Sequence, residues 1–126
     1  MTPHPSLRQL ILAAALLLFF VSGAPADEFD SAGVTIRYDV RGEGEPVLLI
    51  HGLNASARLN WELPGITARL AKNYRVIALD NRGHGGSGRP VGEEEYGVKM
   101  AEDAVRLLDH LGVEKAHVVG YSMGGM

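Results

Sequence analysis

The chain has no cysteine in its 126 residues. This absence excludes a disulfide scaffold, a cysteine-ligated metal site and a lipid-modified cysteine as membrane anchor. Nor do the five histidines show the H-x-x-x-H spacing of metal ligands; they are His4, His51, His84, His110 and His117. The sequence therefore predicts neither a metal nor another cofactor.

Clusters of basic residues are also missing. The chain carries 12 Lys and Arg against 15 Asp and Glu, which gives a formal net charge of −3. Nucleic-acid-binding proteins carry a basic patch or stripe, so we expect no partner of that class. A hydrophobic content of 46% is typical of one soluble domain.

The first 26 residues differ in composition from the rest. Arg8 is their only charged side chain, residues 10–21 are all apolar, and residues 24–26 form an A-x-A site before Asp27. This is the three-part layout of a secretory signal peptide. We therefore expect removal of residues 1–26 and a mature chain that begins at Asp27 and is secreted or periplasmic.

The apolar run is too short for an ordinary membrane crossing. Its 12 residues would span roughly 18 Å as a helix, whereas a crossing needs about 20 residues. An uncleaved anchor and a buried core helix are the alternatives. After cleavage, no stable membrane anchor is expected.

Hydrophobic patterning predicts an α/β fold. Residues 34–41 alternate as a half-buried antiparallel strand does, and we expect them to pair with residues 28–30. Residues 47–50 and 75–79 are nearly all apolar, as is typical of parallel strands covered on both faces. The order of elements implies a mostly parallel sheet with antiparallel first strands.

Helical patterns cover residues 60–72, with an irregular first turn at Pro64 and Gly65, and residues 98–111, which end at Gly112. A last strand is predicted at residues 116–121.

Three polar loops follow the predicted parallel strands. They read H-G-L-N at residues 51–54, D-N-R-G-H-G-G-S-G at residues 80–88, and G-Y-S-M-G at residues 120–124. Open α/β sheets place ligands at the carboxyl ends of their strands. The third loop has the G-x-S-x-G pattern of a nucleophile elbow, in which a sharp turn exposes a serine hydroxyl.

These motifs, in this order and spacing, resemble the α/β-hydrolase superfamily over residues 28–126. The resemblance implies that residues 27–126 are the amino-terminal part of such a domain, truncated after the elbow. It implies Ser122 as the nucleophile, with the backbone N–H groups of Met123 and Leu53 as the oxyanion hole. The triad acid and histidine follow the serine in this superfamily. Both are therefore expected beyond residue 126, and this fragment alone is expected to be inactive.

The reaction implied by the resemblance is hydrolysis of a carboxylic ester, with a small-molecule acyl substrate and an acyl-enzyme on Ser122. A serine at the elbow argues against the superfamily's dehalogenases and epoxide hydrolases, which use aspartate there. A lactonase, a perhydrolase or a C–C hydrolase remains open, as does a non-catalytic binding protein on the same fold.

The other polar residues have structural interpretations. Residues 83–88 spell G-x-G-x-x-G, but they neither follow a strand directly nor open a helix, as a dinucleotide site requires. Asp80 and Arg82 are expected to brace their loop. His51 and His84 are expected to hydrogen-bond their own loops, and His117 to lie within a strand, rather than to act as the base.

Overall fold

The computed structural model of the protein describes residues 26–126. All but the last residue of the predicted signal peptide lie outside the described residues. Within the described part, no helix is both long enough and apolar enough to cross a membrane.

Five strands form one mixed sheet. Their bounds are β1 (Asp27–Ser31), β2 (Val34–Arg41), β3 (Glu45–Ile50), β4 (Tyr74–Leu79) and β5 (His117–Gly120). The spatial order is β1-β2-β4-β3-β5. The β1–β2 and β2–β4 pairs are antiparallel, whereas β3 runs parallel to both β4 and β5. The predicted hairpin and parallel sheet are thus confirmed, although β5 is shorter than expected.

The helices follow the prediction less closely. A π-helical turn covers Arg58–Glu62, and the short helix α1 covers Ile66–Leu70. The single helix expected over residues 60–72 is therefore wrong. Gly65 adopts a left-handed conformation with φ of 79°, and Pro64 before it has no N–H to donate, so the helix breaks there.

The second long helix was predicted correctly. Helix α2 covers Val98–His110, and Gly112 follows with φ of 66°, which favours glycine. Two 3-10 turns complete the structure, at Glu93–Glu95 and at Ser122–Gly125.

The core lies on both faces of the sheet. Leu48 and Ile77 pack on one face with Leu107 of α2, while Leu49 and Val76 belong to a second cluster on the other face. Because successive side chains of a strand point to opposite faces, β3 and β4 must be apolar at nearly every position.

A buried ion pair joins the loop after β4 to α2. The Arg82 Nε and Nη2 atoms lie 2.7 Å from the two carboxylate oxygens of Asp103, and both side chains are at most 2% exposed. Ser31 Oγ donates to Asp103 Oδ1 at 2.6 Å, and Arg82 Nη1 donates to the Glu95 carbonyl at 2.8 Å. These bonds confirm the bracing role predicted for Arg82.

We predict that Asp103→Asn lowers the free energy of unfolding by about 3–5 kcal/mol, since the buried Arg82 guanidinium loses its two-bond carboxylate partner and keeps only the partly exposed Glu95 carboxylate, 3.4 Å from Nη1. The neighbouring variant Glu102→Gln is the matched control. It removes only the exposed ion pair with Arg106, which should contribute no more than about 1 kcal/mol. Urea unfolding measures both, and equally small losses would contradict the importance of the buried pair.

Candidate active site

Three loops begin at one edge of the sheet. In the parallel registers, Ile50 of β3 lies opposite Leu79 of β4 and Gly120 of β5. The Tyr121 N–H donates to the Ile50 carbonyl at 3.0 Å, which extends the pairing by one step. The three sequence motifs are therefore brought together at the carboxyl ends of their strands.

Ser122 is the tip of a sharp turn. Its φ is 52°, a left-handed conformation that costs about 1–3 kcal/mol for a residue with a side chain. A Cβ on Gly120 would overlap the Gly124 carbonyl oxygen, and one on Gly124 would overlap the Ile50 carbonyl oxygen. Both positions of the motif require glycine because the backbone of another residue lies where a side chain would be. Ser122 itself is exposed.

The loop after β3 touches this turn. A Cβ placed on Gly52 would lie 3.4 Å from Ser122 Cβ and 3.0 Å from the Tyr121 ring. The Gly52 N–H donates to Asn60 Oδ1 at 2.9 Å, and the Gly52 carbonyl accepts from the His51 ring at 2.7 Å. The backbone polar groups of Gly52 are thus already paired.

The next N–H along this loop, that of Leu53, has no acceptor among residues 26–126, and neither has the N–H of Met123. Leu53 is 63% exposed. Two available donors therefore stand on two segments that meet beside Ser122. Donors of this kind are what a developing oxyanion requires.

His51 is not arranged as a general base for Ser122. It is fully buried; its Nε2 accepts the Asn81 N–H at 2.9 Å, and its Nδ1 donates to the Gly52 carbonyl. This pattern requires the neutral ring, and burial lowers the pKa of His51 below its ordinary value. The predicted bond within its own loop is present, and a bond to the neighbouring loop was missed.

His84 and His117 also make contacts away from Ser122. His84 Nδ1 lies 3.0 Å from the Arg82 carbonyl within its own loop, as expected. His117 lies in β5, with its Nε2 3.1 Å from a carboxylate oxygen of Glu45. In the part of the chain that the structure describes, no side chain is hydrogen-bonded to Ser122 Oγ.

The glycine-rich loop wraps around a carboxylate. Asp80 Oδ2 accepts the Gly86 N–H at 2.9 Å and an Arg37 N–H at 3.1 Å, while Oδ1 accepts the Ala57 N–H at 2.8 Å. A Cβ on Gly85 would overlap this carboxylate. The bracing role predicted for Asp80 is confirmed, and the glycines surround an internal anion instead of opening a helix toward a pyrophosphate.

A cavity of about 370 Å³ lies between α2 and the turn at Ser122–Gly125. Val98 and Ala101 line one side of it, and Met123 and Gly124 line another. Ile50 and Asn81 also line it, so the cavity adjoins the edge at which the three loops begin, although neither Ser122 nor Leu53 lines it. Among residues 26–126, no three His, Asp or Glu side chains are grouped as metal ligands.

Comparison with known proteins agrees with this geometry. A family model described as the alpha/beta hydrolase fold matches residues 45–126. The chain belongs to the α/β-hydrolase family. The predicted resemblance and fold class are therefore confirmed.

Relatives with several different names match the chain. The chain is 38% identical over 104 residues to the 2-hydroxy-6-oxo-6-phenylhexa-2,4-dienoate hydrolase of Comamonas testosteroni, covering 81% of this chain and 36% of that one. It is 37% identical over 100 residues to a fluoroacetate dehalogenase of Burkholderia sp, and the match covers 76% of this chain and 32% of the dehalogenase. The structure of Est816, described as an N-acyl homoserine lactone degrading enzyme, superposes with a TM-score of 0.71 at 36% identity. The match covers 79% of this chain and 37% of Est816.

The chain spans about a third of the length of these curated relatives. The three names denote three different reactions, yet the identities differ by only two percentage points. Overall similarity therefore establishes the family, and the choice of reaction must be argued from the residues at the site.

Proposed function

We propose that the protein is a serine hydrolase that cleaves carboxylic esters through an acyl-enzyme on Ser122. The observation that carries the proposal is the exposed Ser122 on a left-handed turn, beside two segments that offer the unpaired N–H groups of Leu53 and Met123. The serine favours acyl transfer over the aspartate-dependent reactions of the superfamily, including that of a dehalogenase.

In the proposed reaction, Ser122 Oγ forms a bond to the acyl carbon, and the carbonyl oxygen becomes an oxyanion that accepts from Leu53 and Met123. Collapse of this intermediate breaks the bond to the leaving alcohol, and water then releases the acid. One preorganised oxyanion donor typically contributes about 100- to 1,000-fold to kcat.

The proton of Ser122 Oγ must pass to a base and then to the departing alkoxide. Because no histidine among residues 26–126 meets this serine, we place the acid and the histidine after it in sequence, in the order usual for the superfamily. On this proposal residues 27–126 contribute the nucleophile and the oxyanion hole, and do not by themselves hydrolyse esters.

A lactone is the second candidate substrate. The similarity to Est816 favours it, and a lactone is a cyclic ester whose carbonyl would meet the same nucleophile and the same two donors. Turnover of an N-acyl homoserine lactone compared with that of a p-nitrophenyl ester of the same acyl group separates the two substrates.

We predict that a fluorophosphonate probe labels the protein expressed from its complete gene, and that Ser122→Ala abolishes labelling. Ester turnover should fall by more than about 1,000-fold, because the variant has no nucleophile. The matched control is Ser56→Ala in the loop after β3, whose hydroxyl accepts only the Leu59 N–H. It should keep labelling and most of its turnover.

Two results would contradict the assignment. Undiminished labelling of Ser122→Ala would place the nucleophile elsewhere. A folded wild-type protein without labelling or turnover would favour a binding protein on the same fold.

We also propose that residues 1–26 direct export and are removed, which leaves a secreted or periplasmic protein. Strand β1 begins at Asp27, which pairs with Tyr38, so cleavage after Ala26 would leave the first strand whole. Amino-terminal sequencing of the exported protein should begin Asp27, Glu28, Phe29. Replacing Leu16 by Arg within the apolar run should prevent export. Retention of Met1 on a membrane-bound product would contradict the proposal.

A further inference from the structure

One buried residue of the loop after β4 holds the loop after β3. Asn81 is 2% exposed, and its backbone N–H donates to His51 Nε2 at 2.9 Å. Its side-chain Nδ2 donates to the His51 carbonyl at 3.2 Å. Asn81 therefore makes two bonds to the first residue of the β3 loop, two positions before Leu53.

Asp80, the residue before Asn81, holds the other end of the loop after β3. The Ala57 N–H donates to Asp80 Oδ1 at 2.8 Å. Asp80 and Asn81 thus hold the two ends of residues 51–57, and Leu53 lies between them with an exposed side chain and an unpaired N–H. Bonds between the two loops therefore contribute to the position of Leu53 relative to the sheet, together with the bond from the Gly52 N–H to Asn60 Oδ1.

We propose that Asn81 is a positioning residue for the Leu53 N–H in the oxyanion hole, an inference that rests on the proposed function. An oxyanion donor acts only when it lies about 2.7–3.1 Å from the oxygen, and a displacement of about 1 Å can lower a rate 100-fold. Among residues 26–126, the His51 carbonyl has no donor other than Asn81. Loss of the side-chain amide therefore leaves the His51 carbonyl unpaired and loosens the loop at the end nearer Leu53, where the bonds from the Asn81 N–H to His51 and from the Gly52 N–H to Asn60 remain.

The role differs from simple packing in what it predicts for two variants. Asn81→Ala removes both the amide and its volume, whereas Asn81→Leu fills the space with an apolar side chain of the same branching and still lacks the donor. A positioning role lowers kcat in both variants, by about 10-fold, with KM within about twofold, because the oxyanion forms only in the transition state. A packing role would lower kcat in Asn81→Ala and restore it in Asn81→Leu.

The experiment measures kcat and KM for p-nitrophenyl acetate with the protein expressed from its complete gene, after urea unfolding has established that each variant is folded. Ser31→Ala is the control, because it removes one buried hydrogen bond, to Asp103, while both bonds between Asp103 and Arg82 remain and no bond of Asn81 or of residues 51–57 is removed. It should keep the wild-type kcat. Amide hydrogen exchange adds a readout without substrate: Asn81→Ala should accelerate exchange in residues 51–57 and leave β5 unchanged.

The outcomes separate this proposal from the one on which it rests. A folded wild-type protein that neither turns over ester nor reacts with fluorophosphonate overturns both. An active wild-type protein with kcat unchanged in either Asn81 variant overturns the positioning role alone. A raised KM at unchanged kcat would also overturn it, since that pattern indicates contact with the bound substrate.

Discussion

The parallel pairing of β3 with a strand on each side determines where the candidate site lies. Since Ile50 is opposite both Leu79 and Gly120, the chain leaves all three strands at the same level. The turn at Ser122 then comes so close to β3 that Gly124 lies against the Ile50 carbonyl, where a side chain would not fit. The exposed serine is thus a consequence of strand register together with glycine at two positions.

Buried charges hold the loops that this register brings together. Asp80 accepts three hydrogen bonds, from Arg37 and from two backbone N–H groups, and Arg82 is paired with Asp103. A buried charge is tolerated only when it is paired and hydrogen-bonded. Polar residues that could suggest binding or catalysis are therefore used within the protein. The Ser122 hydroxyl and the backbone N–H groups of Leu53 and Met123, by contrast, have no hydrogen-bond partner among residues 26–126.

Features set by local pattern were predictable from the sequence. The apolar runs gave β3 and β4, the spacing of apolar residues gave α2, and the elbow followed from G-x-S-x-G. Pro64 and Gly65 predicted an irregular turn within residues 60–72, but the apolar spacing did not show that the left-handed Gly65 ends the first helical segment there. The contact between Asn81 and His51 joins loops 30 positions apart, and neither residue signals the other in sequence. The only sequence signal for this contact was the place of Asn81, a polar residue next to Asp80 just after a buried strand.

The central claim is that Ser122, Leu53 and Met123 converge on one reacting carbonyl. A crystal structure of the protein expressed from its complete gene, with a phosphonate bound covalently, tests this claim most directly. The account predicts phosphorus bonded to Ser122 Oγ and a phosphonyl oxygen within about 3.1 Å of both backbone nitrogens. An adduct on another residue, or a phosphonyl oxygen that contacts neither N–H group, would contradict it.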